Sequence, residues 1–376
     1  MNGLITKIQS NTKIENVVNK LNLDKNINIT LSGITDSFKA HMIYALTCME
    51  NKGAFVVCSN IMAANKMIQD LKYVSDLEII YFPARKLEYY DIETESKEIQ
   101  NSRMYAIDKM LSGKKNIIVT TVDLLTEKMY PSKTYQKSDI CIKKGDVVNL
   151  KDITEKLLLL GYERCQLVEG KGQFSIRGDI LDIFSINCEL PFRIELFGDE
   201  VDNIRTFDQI TQRSIDTLSE VNITFLKELR VDENRKNEII SKIQEVCQAP
   251  GVKSDLRDYL LKDIERIKNN DYDTLYDKYF ELFVNEKSNI VDYLKNYNLF
   301  IDESERFMQK VNNIAYENYE TLKVLSERSY IYLPFANKTL TYDDIIKSFT
   351  NTNTIYLENM SQIGKKGNGI VYDFDI

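Results

Sequence analysis

One histidine, His41, is all that the 376 residues offer for imidazole chemistry. Ser-His or Cys-His catalysis would have to rest on it. It lies in a stretch of helical spacing with no nucleophile motif beside it, and it reads as structural. Six cysteines stand at positions 48, 58, 141, 165, 188 and 247, with no C-x-x-C pair among them, so zinc and redox motifs are unsupported. Cys58 closes the apolar run FVVC, where a free buried thiol is expected, and this suits a reducing, cytoplasmic setting. The N-terminal stretch MNGLITKIQSN lacks the apolar core of a signal peptide, and no run approaches the length of a membrane span. Basic residues are outnumbered, 49 to 57, giving a net charge of -8. That opposes a broad phosphate-binding surface while leaving room for a local basic patch. No internal repeat or low-complexity tract is present.

What is there is globular: 43% of the residues are hydrophobic and 28% charged, and the length suits two or three domains. Residues 1–137 alternate apolar strands (Ile27–Leu31, Gly53–Cys58, Glu78–Phe82, Asn116–Thr120) with helical stretches (Asp36–Asn51, Ile61–Val74, Glu95–Ser112). This order predicts an α/β layer with a mostly parallel sheet. Residues 138–225 change character: one helix, Lys151–Leu160, leads into short alternating strands, which predicts an inserted α+β domain with an antiparallel sheet. From 226 to 376 the spacing is helical and charged, with helices expected over Lys236–Gln248, Asp255–Asn269, Tyr272–Val284 and Ser304–Ser326. Strands are expected at Leu299–Asp302 and Thr354–Glu358, with a turn at Gly364–Gly369.

The most informative stretch is Gly172–Ser214, GQFSIRGDILDIFSINCELPFRIELFGDEVDNIRTFDQITQRS. Turns at Arg177-Gly178, Asn187–Pro191 and Gly198-Asp199 separate four strand-like runs. Along Phe192–Phe197, Ile194 and Leu196 point one way and Arg193, Glu195 and Phe197 the other. An aromatic beside an arginine on an outward face is the composition of a protein-binding hot spot. The competing reading is a Phe197 buried under a neighbouring domain. Phe174, Ile180, Ile183, Phe184 and Ile204 read as the core of the module.

The blocks GQFSIRGDILDIF, PFRIELFGDEVDNIRTFD and TQRS resemble the second domain shared by the excinuclease protein UvrB and the N-terminal region of the bacterial transcription-repair coupling factors (Mfd). The resemblance implies a discontinuous, RecA-like parallel-sheet domain with a degenerate P-loop, split around the small inserted domain. It implies that the inserted domain recruits the excinuclease protein UvrA. Arg177 matches the arginine of the F-x-x-R-G turn; Arg193 and Phe197 match the P-x-R-x-x-x-F strand. Glu195 and Arg205 are expected at the rim. A C-terminal regulatory domain is implied as a second partner, and RNA polymerase and DNA as partners only of regions beyond this chain. On that resemblance the chain is expected to be an N-terminal fragment of a longer protein.

One motif suggests an enzyme. The stretch LSGITDSFKA, Leu31–Ala40, follows a strand and opens a helix, where a phosphate loop belongs. Gly33 and Lys39 are in register. Phe38 replaces the second glycine and Ala40 the metal-binding hydroxyl, and Asp36 adds a negative charge. The acidic box FIDESE keeps Asp302 and Glu303, which read as solvated acids at a helix start. ATP and Mg are therefore expected not to bind productively, no metal site is expected, and no residue is assigned a catalytic role. After KLEYYD, Lys86–Asp91, the chain lacks room for the DNA-clamping hairpin of UvrB, so Tyr89 and Tyr90 are expected to pack. The expected function is a non-catalytic recruiting module in nucleotide excision repair. The alternatives are half of an ATP-dependent DNA translocase, or a DNA-damage-binding module.

Overall fold

In the computed structural model of the protein, the residues described are 2–23, 26–89, 97–136, 140–228, 231, 233–271, 273–284, 286, 288–360 and 369–374. They fall into two compact units. The first comprises Met1–Glu95, Lys109–Pro131 and Glu233–Ile376, and the second Ser96–Asp108 and Ser132–Asp232.

The first unit begins with helices Asn2–Gln9 and Thr12–Leu23; the latter buries Ile14, Val17, Val18 and Leu21 at helical spacing. Strands β1 (Asn28–Ser32), β2 (Gly53–Cys58), β3 (Ile79–Phe82) and β4 (Ile117–Thr121) follow, with helices Asp36–Glu50 and Ile61–Val74 after β1 and β2. Every residue of β2 and β4 is buried, the mark of strands covered on both faces.

The second unit holds β5 (Ile140–Lys143), β6 (Glu163–Arg164), β7 (Gln173–Arg177), β8 (Ile180–Ile183), β9 (Phe192–Phe197), β10 (Glu200–Phe207), β11 (Ser214–Leu218) and β12 (Glu220–Ile223). β5 and β12 form an antiparallel ribbon. The other six make a sheet of order β11-β10-β9-β8-β7-β6, antiparallel except for the short β6–β7 pair. Phe174, Ile183, Ile194 and Ile204 turn inward and are buried; Phe184 is buried just past β8. Ile180 does not join them. It pairs with Glu195 and Arg177 in register, so it lies on the outward face and is half-buried.

The chain then returns to the first unit with β13 (Tyr297–Asp302), β14 (Thr354–Leu357) and β15 (Ile370–Asp373). The sheet has order β15-β1-β14-β13-β2-β4-β3, with every pairing parallel. The protein is thus α/β, with a parallel sheet and a separate, mostly antiparallel one. The tail carries two strands rather than one, because Ile370–Asp373 pairs with β1. Of the expected turn at Gly364–Gly369, residues 364–368 lie outside the described residues, as does Tyr90.

One expected helix is absent. Across 272–284 the described residues form only a short turn, Asp273–Leu275, and a four-residue helix, Phe280–Phe283. Tertiary bonds override the spacing: buried Asp277 accepts from Arg85 Nη2 at 2.6 Å, from the Glu88 amide at 2.7 Å and from Asn337 Nδ2 at 2.8 Å. Tyr89 is buried close by, donating to the Asn337 carbonyl at 2.8 Å and accepting from Asn318 at 2.7 Å.

Candidate functional site

Two places carry the sequence-expected residues. The first is the outward face of the antiparallel sheet. The alternation of β9 sends Phe192, Ile194 and Leu196 inward and leaves Arg193, Glu195 and Phe197 outward. Phe197 is 85% exposed within this chain. It sits at the β9–β10 turn, where Gly198 takes φ +63.

Register sets the neighbours of Arg193. Asp182 of β8 and Arg205 of β10 stand directly opposite it. Arg193 Nε donates to Asp182 Oδ1 at 2.7 Å and Nη2 to Asp182 Oδ2 at 2.9 Å, a bidentate fork. The same Nη2 reaches Gln212 Oε1 at 3.0 Å, and the guanidinium lies 4.5 Å from the centre of the Phe207 ring. The Asp182 bond holds the Arg193 pKa above the usual arginine value, against the cost of partial burial. Arg177 donates to Asp182 Oδ2 at 2.7 Å. The two arginines are not equivalent: the Arg177 side chain is 47% exposed, that of Arg193 only 15%. Glu195 pairs with Arg205 at 3.2 Å, both part-exposed. The face therefore brings Arg177, Arg193, Glu195, Arg205 and Phe197 together.

Two residues here escaped the sequence reading. Asp182, whose side chain is 1% exposed, takes both arginines, and Gln212 tethers a turn to the sheet. The alternation of ILDI places Asp182 outward between two core residues, a signal that a charged residue faces a neighbour there. Gln212 carries no such signal.

The second place lies at the carboxyl ends of the parallel strands, where α/β proteins hold their ligands. Lys39, at 1% exposure, follows β1 in the first turn of Asp36–Glu50. Its Nζ lies 2.6 Å from Asp302 Oδ1 and 2.6 Å from Glu303 Oε1, at the end of β13. Burial alone would lower the Lys39 pKa; the two carboxylates outweigh it and raise it. Burial raises the Asp302 pKa, opposed by Lys39. The acids are thus part-buried partners of Lys39 rather than solvated. Glu303 takes φ +60 at the start of Ser304–Glu327 and makes no side-chain cap; Glu358 Oε1 accepts from the Ser304 amide at 2.9 Å instead.

Gly33, at φ +71, is approached by the backbone just past β15. The Phe374 amide donates to the Ser32 carbonyl at 2.8 Å, and a Cβ on Gly33 would lie 2.5 Å from the Phe374 carbonyl oxygen. Phe38 packs against the main core and stacks on His41 at 5.8 Å between ring centres. Ala40 is fully buried. Among the described residues no group of three His, Cys, Asp or Glu is placed to hold a metal ion, and no helix is long and apolar enough to cross a membrane.

Comparison with known proteins bears out the resemblance carried by Gly172–Ser214. Residues 140–228 match the UvrB interaction domain family model. The chain is 29% identical over 340 residues to the transcription-repair-coupling factor of Bacillus subtilis, covering 88% of this chain and 29% of that protein. The namesake from Staphylococcus aureus MRSA252 is 28% identical over 303 residues, covering 77% of this chain and 26% of its own length. That of Staphylococcus epidermidis is 27% identical over 308 residues, covering 80% and 26% respectively. The chain thus spans under a third of the length of these relatives. It is similar over most of its own length to transcription-repair-coupling factors, and its residues 140–228 match the UvrB interaction domain family model.

Proposed function

We propose that this chain is a recruiting module of transcription-coupled nucleotide excision repair, and that the outward face of β9 binds UvrA by presenting a surface like that of UvrB. The observation that carries this reading is Phe197, exposed at the strand end beside an arginine cluster inside the UvrB interaction domain. An exposed aromatic on the strand that also carries part of an arginine cluster is the composition that concentrates binding energy. Phe197 enters an apolar recess of the partner, and Arg177 meets an acidic group or carbonyl there. Glu195 and Arg205 sit at the rim and tune the rate of association. Residues 138–225 act as an insertion in a RecA-like domain formed by 1–137 and 226–376.

The translocase reading is disfavoured by the contacts of Lys39. Its ammonium already has two carboxylates where a phosphate would need it, and Phe374 backbone occupies the approach to Gly33. We therefore assign the parallel-sheet unit a scaffold role, without productive ATP or Mg binding and without catalysis.

Titration of purified UvrA into this chain tests the reading. Wild type is expected to bind, and an Arg177→Ala/Phe197→Ala variant with an unchanged melting temperature is expected to lose at least about tenfold in affinity. Equal affinities would remove the recruiting function from this face.

A further inference from the structure

Among the described residues, the two most exposed large hydrophobic side chains are Phe197 and Ile210, each 85% exposed. Both lie in the second unit, and Arg193 connects to the turn that carries Ile210. That turn joins β10 to β11 and is heavily built. Asp208 Oδ1 accepts from the amides of Ile210 at 3.1 Å and Thr211 at 2.7 Å, and from the Thr211 hydroxyl at 2.9 Å. The Asp208 amide donates to the Arg213 carbonyl at 2.9 Å, and the Gln212 amide to the Asp208 carbonyl at 2.8 Å. Gln212 holds φ +59, a left-handed conformation unusual outside glycine, and its Nε2 closes on the Gln209 carbonyl at 2.9 Å. Its Oε1 is the acceptor that Arg193 uses.

A scattered exposed apolar residue on a loose loop needs no explanation. Here the backbone on both sides of Ile210 is fixed by local bonds and tied to the arginine cluster, so presenting Ile210 carries little ordering cost on binding. The layout is directional. Phe197 lies four residues along β9 from Arg193, about 13 Å at the rise of a strand. The Asp208–Arg213 turn follows the other end of the β9–β10 pair and Gln212 reaches Arg193, so the turn and Phe197 lie on opposite sides of Arg193 along the hairpin.

We propose that the Asp208–Arg213 turn is a second contact of the docking face, with Ile210 entering an apolar recess of the same protein partner, and that Arg193 is a positioning residue that holds this turn through Gln212. The inference rests on the recruiting function proposed above. It assigns direct contact to Arg177, Phe197 and Ile210. The Arg193 fork is already committed to Asp182 and Gln212, and what it supplies is geometry.

Calorimetric titration with purified UvrA separates the two claims, using variants whose melting temperatures match wild type. Arg177→Ala/Phe197→Ala reports on the recruiting function. Ile210→Asp, at an exposed tip, reports on the turn and is expected to weaken binding at least about tenfold. Gln212→Ala is expected to weaken it severalfold, and Gln212→Glu, which keeps the acceptor for Arg193, to recover most of that loss. In an Ile210→Asp background, Gln212→Ala should cost nothing further. If Ile210→Asp binds within twofold of wild type while Arg177→Ala/Phe197→Ala is weakened, the second contact is wrong and the recruiting function stands. If Gln212→Ala also binds as wild type, the tether has no role. If the Arg177→Ala/Phe197→Ala variant binds as wild type, both claims fall.

Discussion

Lys39 and Asp302 meet at 2.6 Å at the carboxyl ends of the parallel strands. Glu303 completes the arrangement, also at 2.6 Å. The cation thereby ties the turn after β1 to the end of β13, two strands that are not neighbours but are separated by β14. An arrangement of this kind works as an internal staple.

Breaking a buried pair from one side leaves its partner uncompensated, which costs about 3–5 kcal/mol. Asp302 and Glu303 keep some solvent access, so the lower end applies. Lys39→Met is therefore expected to destabilise the parallel-sheet unit by about 3 kcal/mol, read as a lower denaturant midpoint for the signal of that unit. Nucleotide should not change the midpoint of wild type or variant. A rise in the midpoint of wild type on adding ATP and Mg would show that the site still takes nucleotide.

The same pair sets a pH dependence. The folded pKa of Lys39 is raised above its ordinary 10.5, so its contribution is fully present below about pH 10.5 and is lost as pH rises through the folded value. The stability difference between wild type and Lys39→Met should stay level from pH 7 to about 10 and shrink above that. It should also shrink as pH falls through the raised Asp302 value, above the ordinary 3.8, because the Asp302 carboxyl left without a cation is then protonated. Urea unfolding of both proteins across this range measures it; a difference independent of pH would mean that charge is not what Lys39 supplies.

Asp182 carries a comparable load in the second unit. Its carboxylate receives three bonds from two guanidinium groups and is almost wholly buried. Asp182→Asn keeps the shape and removes the charge, leaving Arg193 half-buried without its counter-ion. A loss of about 2–4 kcal/mol is expected, measured by thermal unfolding. Asp182→Asn/Arg193→Met should recover part of it, since the unpaired charge is then gone. No recovery in the double variant would place the cost in packing instead.

How much of this was legible beforehand follows from which forces act locally. The parallel sheet announced itself because β2 is apolar throughout and β4 opens on Ile117, Ile118 and Val119, and the β9 face because its alternation is regular. The break across 272–284 was hidden: apolar spacing there looks helical, and only the distant Arg85, Glu88 and Asn337 reveal that Asp277 is a buried anchor. Asp302 and Glu303 looked like solvated helix-start acids because Lys39 lies 263 and 264 residues away in the chain. The unequal exposure of Arg177 and Arg193, both held by Asp182, is something a motif match cannot express. The Ile210 turn reads as an ordinary polar connection until Gln212 is seen reaching Arg193.

Gly33 offers a way to ask what the turn after β1 is for. In a working phosphate loop a glycine at this position serves the close approach of nucleotide. Here the close approach is made by the Phe374 carbonyl, 2.5 Å from where a Cβ would stand, and the φ of +71 adds strain for any L side chain. Gly33→Ala should therefore destabilise the sheet edge formed by β1 and β15 by about 1–3 kcal/mol, seen as faster amide exchange in β15 and a lower melting temperature. Shortening the chain to end at Tyr372 removes the Phe374 carbonyl, the bond from the Phe374 amide to the Ser32 carbonyl, and the Asp373 carboxylate that accepts from the Ser32 hydroxyl. In that background the same substitution should cost only its conformational share, about 1 kcal/mol. An identical cost in both backgrounds would mean that β15 does not press on the loop, and would return Gly33 to the role of a glycine kept for a ligand.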